Sequence, residues 1–193
     1  MSDLSPIALE EYRALRATIR QRGTLRLIVI AITFFGWAAL AVSVTALLVV
    51  PILGLIPLTV LAAGFEVVFA AHVGVERVGR YLQVHYERPG ALPGWEHAAM
   101  WLGAQARRRS GIDPLASGLF TVAALLNLVP IALLSLAEGP TVGGVVPLEL
   151  AVYGALHVVF IGRIVHARRY ADSQRQRDLA LFEQTRNGPT TSK

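Results

Sequence analysis

Residues 57–87 read PLTVLAAGFEVVFAAHVGVERVGRYLQVHYE, and this stretch decides the fold that the sequence predicts. Its first part is apolar enough to cross a bilayer, and its second part is rich in Arg and Glu. Glu66 is the only carboxylate well inside an apolar run of the sequence, and His72 follows it. An ionisable group at bilayer depth is costly, so Glu66 is a functional candidate by default.

The composition of the whole chain indicates a membrane protein. Of its 193 residues, 54% are hydrophobic and 16% are charged, whereas soluble domains carry about 25% charged residues. The chain has no cysteine, which excludes disulfides, thiolate metal sites and Cys nucleophiles. We therefore predict an all-α integral membrane protein. Its length is that of a single domain.

Four apolar runs outline four transmembrane helices in a bundle, over about 26–49, 57–75, 114–137 and 146–165. A helix rises about 1.5 Å per residue, so runs of roughly 20 residues cross roughly 30 Å of hydrocarbon. The first two runs form a transmembrane hairpin over 24–76, and the last two form a second hairpin over 113–167. The fourth run continues without a helix breaker into a polar helix, 168–186.

Three further segments are predicted to lie in the cytoplasm. Residues 1–23 form an amphipathic helix that Gly23 can end, residues 77–112 form a loop with an interfacial helix over 95–109, and residues 168–193 form a C-terminal helix and tail. The surface helices either bind lipid headgroups or pack on the protein itself. The predicted lipid-headgroup anchors are Arg13, Arg16, Arg20, Trp95, Trp101, Arg107, Arg108 and Arg109.

The basic residues predict the topology. All 18 Lys and Arg residues fall in the N-terminal segment, in the middle loop, and at the end of the fourth span with its tail. Loops with this excess of basic residues stay in the cytoplasm. We predict a multi-pass protein of the cell inner membrane with both termini cytoplasmic.

Three polar residues inside the apolar runs are candidate proton- or ion-binding residues. Glu66, Asn127 and His157 each lie about nine to thirteen residues from an end of their spans, which predicts one shared level near the bilayer midplane. They could be interhelical hydrogen-bonding groups with a purely structural role. Alternatively, they form a proton or cation site in which Glu66 titrates, His157 is its partner and Asn127 orients them.

Metal, haem and catalytic chemistry receive little support. His72 and Glu76 lie four residues apart on one helix face, which makes them weak metal-ligand candidates. The histidines differ in predicted depth, so bis-His haem ligation fits poorly, and we predict no cofactor. The sequence contains no glycine-rich phosphate loop, HExxH or serine nucleophile elbow.

The first functional hypothesis is a non-enzymatic accessory or interaction subunit. Its predicted partners are anionic lipid headgroups, proteins that bind the cytoplasmic helices around Leu179 and Phe182, and further copies of the chain, but not nucleic acid. One alternative is a proton-coupled carrier or channel with the site at Glu66, Asn127 and His157. Another is a haem- or quinone-binding electron-transfer subunit.

Overall fold

The computed structural model describes residues 5–47, 51–87, 94–98, 114–137 and 148–187, and every regular element among them is helical. The predicted all-α class is confirmed. Residues 95–98 form a short helical segment. The main elements are helix α1 (Pro6–Leu47), a 3-10 helix (Pro51–Gly54), and helices α2 (Leu55–His85), α3 (Pro114–Ala137) and α4 (Leu148–Asn187).

Three helical stretches are long and apolar enough to cross a membrane, namely Pro6–Ala46, Ile52–His85 and Leu148–Asn187. The third predicted span lies in α3, whose side chains are described over the shorter apolar stretch Leu115–Pro130. By length and composition, the chain is therefore a multi-pass membrane protein.

Helix α1 runs through Gly23, where the sequence analysis expected a break. A mid-helix glycine costs only about 1 kcal/mol relative to alanine, so flanking contacts can keep the helix continuous. The side chain of Arg22 packs closely against Gly74, and a guanidinium nitrogen of Arg26 lies 3.4 Å from Nδ1 of His72. These contacts lie on either side of Gly23 and hold α1 against α2.

The described residues divide into two compact units, each of which we describe by itself. The apolar unit comprises the described residues within Leu27–Phe69 and Ile112–Ala167. The polar unit comprises those within Met1–Arg26, Ala70–Gly111 and Arg168–Lys193. The candidate proton site lies in the apolar unit, whereas most of the ion pairs lie in the polar unit.

Aromatic rings form the core of the apolar unit. Phe65 of α2 is fully buried and contacts Phe120 of α3 and Phe160 of α4, with ring centroids 5.4 Å and 6.0 Å apart. Phe34 of α1 contacts the same Phe120 ring at 5.1 Å. Each such aromatic pair contributes about 0.5–1.5 kcal/mol beyond the area it buries. The four helices of this unit therefore meet around one aromatic cluster.

Helices α1 and α2 approach most closely at Thr33 and Gly64. Thr33 is buried, and a Cβ atom added to Gly64 would lie 2.7 Å from the Thr33 Cβ and closer still to its γ atoms. Small residues at membrane helix interfaces allow such close approach of the backbones. Gly64 is therefore required by packing at this position.

Candidate functional site

Asn127 lies at the centre of a buried hydrogen-bonded cluster in the apolar unit. On α3 it follows Phe120, Ala123 and Ala124 at helical spacing, so that all four residues share the buried face. Because this face points into the bundle, the Asn127 amide is surrounded by groups from other elements. Its position on a buried face agrees with the general expectation for polar residues in membrane helices.

The Asn127 side chain joins four elements of the apolar unit. Its Nδ2 donates to the backbone carbonyl oxygen of Gly54 at 3.0 Å and to Nε2 of His157 at 3.1 Å. Its Oδ1 accepts a hydrogen bond from Nε1 of Trp37 at 3.3 Å. The 3-10 helix, α4 and α1 are thus each bonded to one side chain of α3.

His157 uses both of its ring nitrogens within the same cluster. Its Nδ1 lies 2.8 Å from the backbone carbonyl oxygen of Tyr153, which can only accept, so Nδ1 carries the proton. Nε2 then accepts from Asn127. The Tyr153 hydroxyl donates to the backbone carbonyl oxygen of Asn127. A neutral His157 therefore satisfies both nitrogens, and this cluster is chemically suited to tying helices together.

Glu66 lies outside this cluster. The buried face of α2 carries Leu61, Phe65 and Val68, and Glu66 projects about 100° around the helix from Phe65. Its carboxylate accepts a hydrogen bond from Nη2 of Arg163 at 2.8 Å. The structure thus brings together Asn127 and His157 but leaves Glu66 on another face of α2. Counting residues from a span end predicts the depth of a residue but not its direction around the helix. Depth alone therefore groups Glu66, Asn127 and His157 into one site.

The depth of Glu66 also differs from that of His157. Phe65 faces Phe160, so α2 and α4 are in register at these positions, and His157 precedes Phe160 by almost one helical turn. Glu66 follows Phe65 by one residue, so the common level expected for Glu66 and His157 is offset by roughly 6 Å, the rise of four residues.

Arg163 is the partner that the sequence analysis missed. Its guanidinium lies 2.8 Å from the Glu66 carboxylate and 4.9 Å from the ring centroid of Phe69. The side chains of Glu66 and Arg163 are 48% and 34% exposed on the apolar unit. The sequence feature that indicates this pairing is the position of Arg163 within the last turns of an apolar run, rather than in the basic tail that follows.

The weak metal candidates His72 and Glu76 both contact guanidinium groups. Nδ1 of His72 lies 3.4 Å from Arg26, and the Glu76 carboxylate lies 3.1 Å from Nη2 of Arg80. A neighbouring guanidinium opposes the binding of a cation. Among the described residues, no cluster of three or more His, Cys, Asp or Glu side chains has the geometry to hold a metal.

The predicted lipid anchors have different environments. Arg16 donates to the Glu96 carboxylate at 2.7 Å, so it binds the protein's own short helical segment. Arg13 pairs weakly with Glu10 on the surface, Arg20 is exposed, and Trp95 is exposed. Four of the predicted anchors lie outside the described residues, namely Trp101, Arg107, Arg108 and Arg109.

Glu87 holds the short helical segment in place within the polar unit. Its carboxylate accepts hydrogen bonds from the backbone N–H groups of Glu96 and His97 at 3.0 Å and contacts Nδ1 of His97 at 2.9 Å. Burial disfavours the charge on Glu87, but the hydrogen bonds outweigh burial and lower its pKa. For Glu96, burial outweighs the charge of Arg16 and raises the pKa.

A buried ion pair lies in the core of the polar unit. Nη1 of Arg80 on α2 donates to the Asp178 carboxylate on α4 at 2.8 Å, and both side chains are almost fully buried. Phe182, one of the residues of the predicted partner-binding helix, packs on Tyr81 and His85, with ring centroids 5.5 Å and 6.4 Å away. The sequence pattern did not reveal that α2 and α4 pair through these residues.

Comparisons with protein-family models, with curated proteins and with solved structures found no match to this chain.

Proposed function

We propose that this chain is a four-span, non-enzymatic accessory subunit that binds another membrane-embedded protein segment within the bilayer. The observation that carries the proposal is the Glu66–Arg163 ion pair on the outer face of the apolar unit. The proposed location of the chain in the cell inner membrane, with both termini cytoplasmic, rests on the distribution of basic residues described above.

The ion pair supports this function because its position is costly for an isolated chain. Charged residues in membrane helices normally face the bundle interior or water, and desolvation penalises them strongly when they do not. Here the side chains of Glu66 and Arg163, which are 48% and 34% exposed, would face the hydrocarbon. Coverage by a protein segment that supplies further polar groups removes that penalty, so the exposed pair favours a protein partner in the bilayer.

The proposed spans are α3, the third in chain order, together with the three helices that are long and apolar enough to cross a membrane. The 24 residues of α3 rise about 36 Å, enough to cross the hydrocarbon, and they carry no charged residue. Loops with basic residues alternate with loops that carry none, and termini on the same side of the membrane require an even number of spans. A four-span arrangement satisfies both conditions.

The Asn127 cluster supports a structural role for the interior polar groups. Its side chains bond to one another and to backbone carbonyl groups from four elements. Hydrogen bonds of this kind hold membrane helices together with typical strengths below about 2 kcal/mol each. This arrangement favours the interhelical role over the proton site for Asn127 and His157.

The second candidate function is the proton-coupled carrier, which would now centre on Glu66 and Arg163. An infrared difference titration against Glu66→Gln separates the two proposals. A carboxyl band that titrates between about pH 5 and 9 favours the carrier, because protons then reach and leave Glu66 within the working range. A carboxylate that stays ionised beside Arg163 across this range favours the accessory subunit.

The haem- or quinone-binding alternative has less support. His157 engages both ring nitrogens in hydrogen bonds, and His72 contacts Arg26, so neither ring is poised as an axial ligand.

Site-specific photo-crosslinking in native membranes tests the proposed function. A photoreactive residue replaces Val67, which is exposed beside Glu66 on α2, and the matched control replaces Phe35, which is 80% exposed on α1. We expect defined protein adducts from position 67, weakened when Arg163→Gln is added, and lipid adducts alone from position 35. Lipid adducts alone from both positions would refute the proposal.

A further inference from the structure

We infer that the face carrying Glu66 and Arg163 binds a second copy of this chain, with reciprocal ion pairs between Glu66 of each copy and the partner's Arg163. This inference rests on the proposed function and names its partner. The two copies are related by a twofold axis along the membrane normal, and the four charged groups form a closed ring around that axis. Twofold dimers are the commonest symmetric assembly, and they pair one surface patch with itself.

The charges on this face are self-complementary. A guanidinium has five N–H donors in a planar fork, and a carboxylate has two oxygens that each accept more than one hydrogen bond. Among the described residues, the contact within one copy joins a single Arg163 nitrogen to a single Glu66 oxygen. A face with one positive and one negative group meets its opposite charge when it is turned by 180° onto a copy of itself.

The depth of the two groups suits a twofold axis along the membrane normal. Copies with the same topology can be related only by such an axis, so interacting residues of the two copies must lie at one depth. The 2.8 Å contact means that the charged ends of Glu66 and Arg163 already share a level. Each group can therefore reach its counterpart on the other copy without tilting of either bundle.

The surroundings of the pair allow two helix faces to approach. Four exposed neighbours are small or β-branched, namely Ala63 and Val67 on α2 and Val159 and Gly162 on α4, and the exposed His166 lies one turn after Arg163. A Cβ atom added to Gly162 would meet nothing within 4 Å, so this part of the α4 surface is open in one copy. Small side chains of this kind let membrane helices pack closely.

A lipid headgroup fits this face less well than a second copy does. An anionic phosphate would neutralise Arg163, but it would also lie beside the Glu66 carboxylate 2.8 Å from that guanidinium. Like charges at such a distance repel strongly in a medium of low dielectric constant. A second copy supplies a cation to Glu66 and an anion to Arg163 at the same time.

The test uses charge reversal and energy transfer in liposomes. Because the chain has no cysteine, a single Lys193→Cys substitution allows donor or acceptor labelling of otherwise intact full-length protein. The protein is reconstituted in phosphatidylcholine vesicles, and energy transfer between donor and acceptor copies is followed as the lipid-to-protein ratio increases. Phe35→Ala, on the exposed face of α1, is the matched control and should dimerise like the unmodified sequence.

Glu66→Arg and Arg163→Glu should each weaken self-association at least tenfold, which corresponds to about 1.4 kcal/mol. When the two variants are mixed, one copy carries two arginines and the other two glutamates, so energy transfer between them should return. Glu66→Gln and Arg163→Gln, which perturb the single copy less, should weaken self-association in the same direction. Helical circular dichroism and a single gel-filtration peak confirm that each variant is folded.

Three results would overturn the inference. The first is no energy transfer in the unmodified protein, in which case protein adducts from position 67 in native membranes would still uphold the proposed function with another partner. The second is self-association that neither reversal changes. The third is dependence on Arg163 only when anionic phosphatidylglycerol is added, which would assign the face to lipid headgroups.

An introduced disulfide gives a second, independent measurement. Val159→Cys places the only thiol of the chain on the exposed α4 surface beside the ion pair, where the residue is 65% exposed. Oxidation in vesicles should then produce a covalent dimer, whereas Phe35→Cys should stay monomeric. A covalent dimer from Phe35→Cys alone would move the interface to α1 and contradict the inference.

Discussion

The side-chain amide of Asn127 on α3 donates a hydrogen bond to the backbone carbonyl oxygen of Gly54, 3.0 Å away, in the 3-10 helix that precedes α2. In a bilayer no water is available to polar groups, so the amide of Asn127 needs acceptors within the protein. It finds them in this carbonyl oxygen and in Nε2 of His157 on α4. One side chain secures both the turn and the packing of the fourth helix.

Replacing Asn127 should destabilise the apolar unit. Asn127→Leu keeps the branched shape but leaves the Gly54 carbonyl and Nε2 of His157 without this donor, and unsatisfied buried groups cost about 1–3 kcal/mol each. We expect a loss of about 2 kcal/mol in the free energy of unfolding, measured by denaturant titration in detergent micelles. The control is Leu126→Ala at the exposed neighbouring position, which should change this free energy by about 0.5 kcal/mol or less. Equal effects of the two substitutions would contradict the role assigned to Asn127.

Adding a methyl group at Gly64 should force α1 away from α2. The new Cβ would overlap the buried Thr33 side chain, and overpacking of this kind costs about 1–3 kcal/mol. Gly118→Ala is the matched control, because a Cβ there meets nothing within 4 Å and alanine is the better helix former. Melting temperature in detergent should fall for Gly64→Ala and stay the same or rise for Gly118→Ala. A stable Gly64→Ala protein would mean that the two helices do not approach closely here.

Removing one member of the Arg80–Asp178 pair should destabilise the polar unit strongly. Arg80→Met leaves a buried carboxylate without its nearest cation, and breaking a buried pair from one side costs about 3–5 kcal/mol. The double variant Arg80→Met with Asp178→Leu should be more stable than Arg80→Met alone, since no charge then remains buried. Denaturant titration measures all three proteins.

The control for this pair is Arg13→Met, which removes an exposed arginine beside Glu10. Exposed pairs contribute about 0–1 kcal/mol, so this change should be small. A double variant that is no more stable than the single one would argue against a direct interaction between Arg80 and Asp178.

Acid should release the short helical segment 94–98 from Glu87. The pKa of Glu87 is lowered in the docked state, so its stabilising contribution is fully present above its ordinary pKa and is lost as pH falls through the lowered value. The pKa of Glu96 is raised, so its effect on stability has the opposite pH dependence. Its stabilising contribution is lost as pH rises through the raised value. We therefore expect amide exchange in this segment, corrected for its intrinsic pH dependence, to increase below about pH 4.5.

The comparison is made with Glu87→Gln, whose single side-chain oxygen can accept one of the two N–H groups and which does not titrate. That variant loses one of the two N–H bonds at every pH, so its exchange should be faster but should lack the acid transition, whereas Glu10→Gln, an exposed glutamate of α1, should retain it. A transition that survives Glu87→Gln unchanged would assign the pH dependence to another group.

Helix boundaries were largely predictable because they depend on local properties of the chain. The predicted span 114–137 coincides with α3, which begins at Pro114, and the lack of a breaker between 165 and 168 correctly indicated that α4 is continuous. The failure at Gly23 has a tertiary cause, since Arg22 before it and Arg26 after it both pack against α2. Local helix propensity includes the cost of a glycine within a helix, but it does not include the tertiary contacts that offset this cost.

The sequence by itself determined that this protein is helical, that it has helices able to cross a membrane, and that Glu66, Asn127 and His157 lie within apolar runs, because length, hydrophobicity and helical rise are properties of each segment alone. Only the tertiary structure decided the partners: His157 for Asn127, Arg163 for Glu66, and Asp178 for Arg80. A partner depends on the rotation and register of two helices relative to each other. Packing of rings such as Phe65 on Phe160 sets both, and no pattern within one segment encodes them.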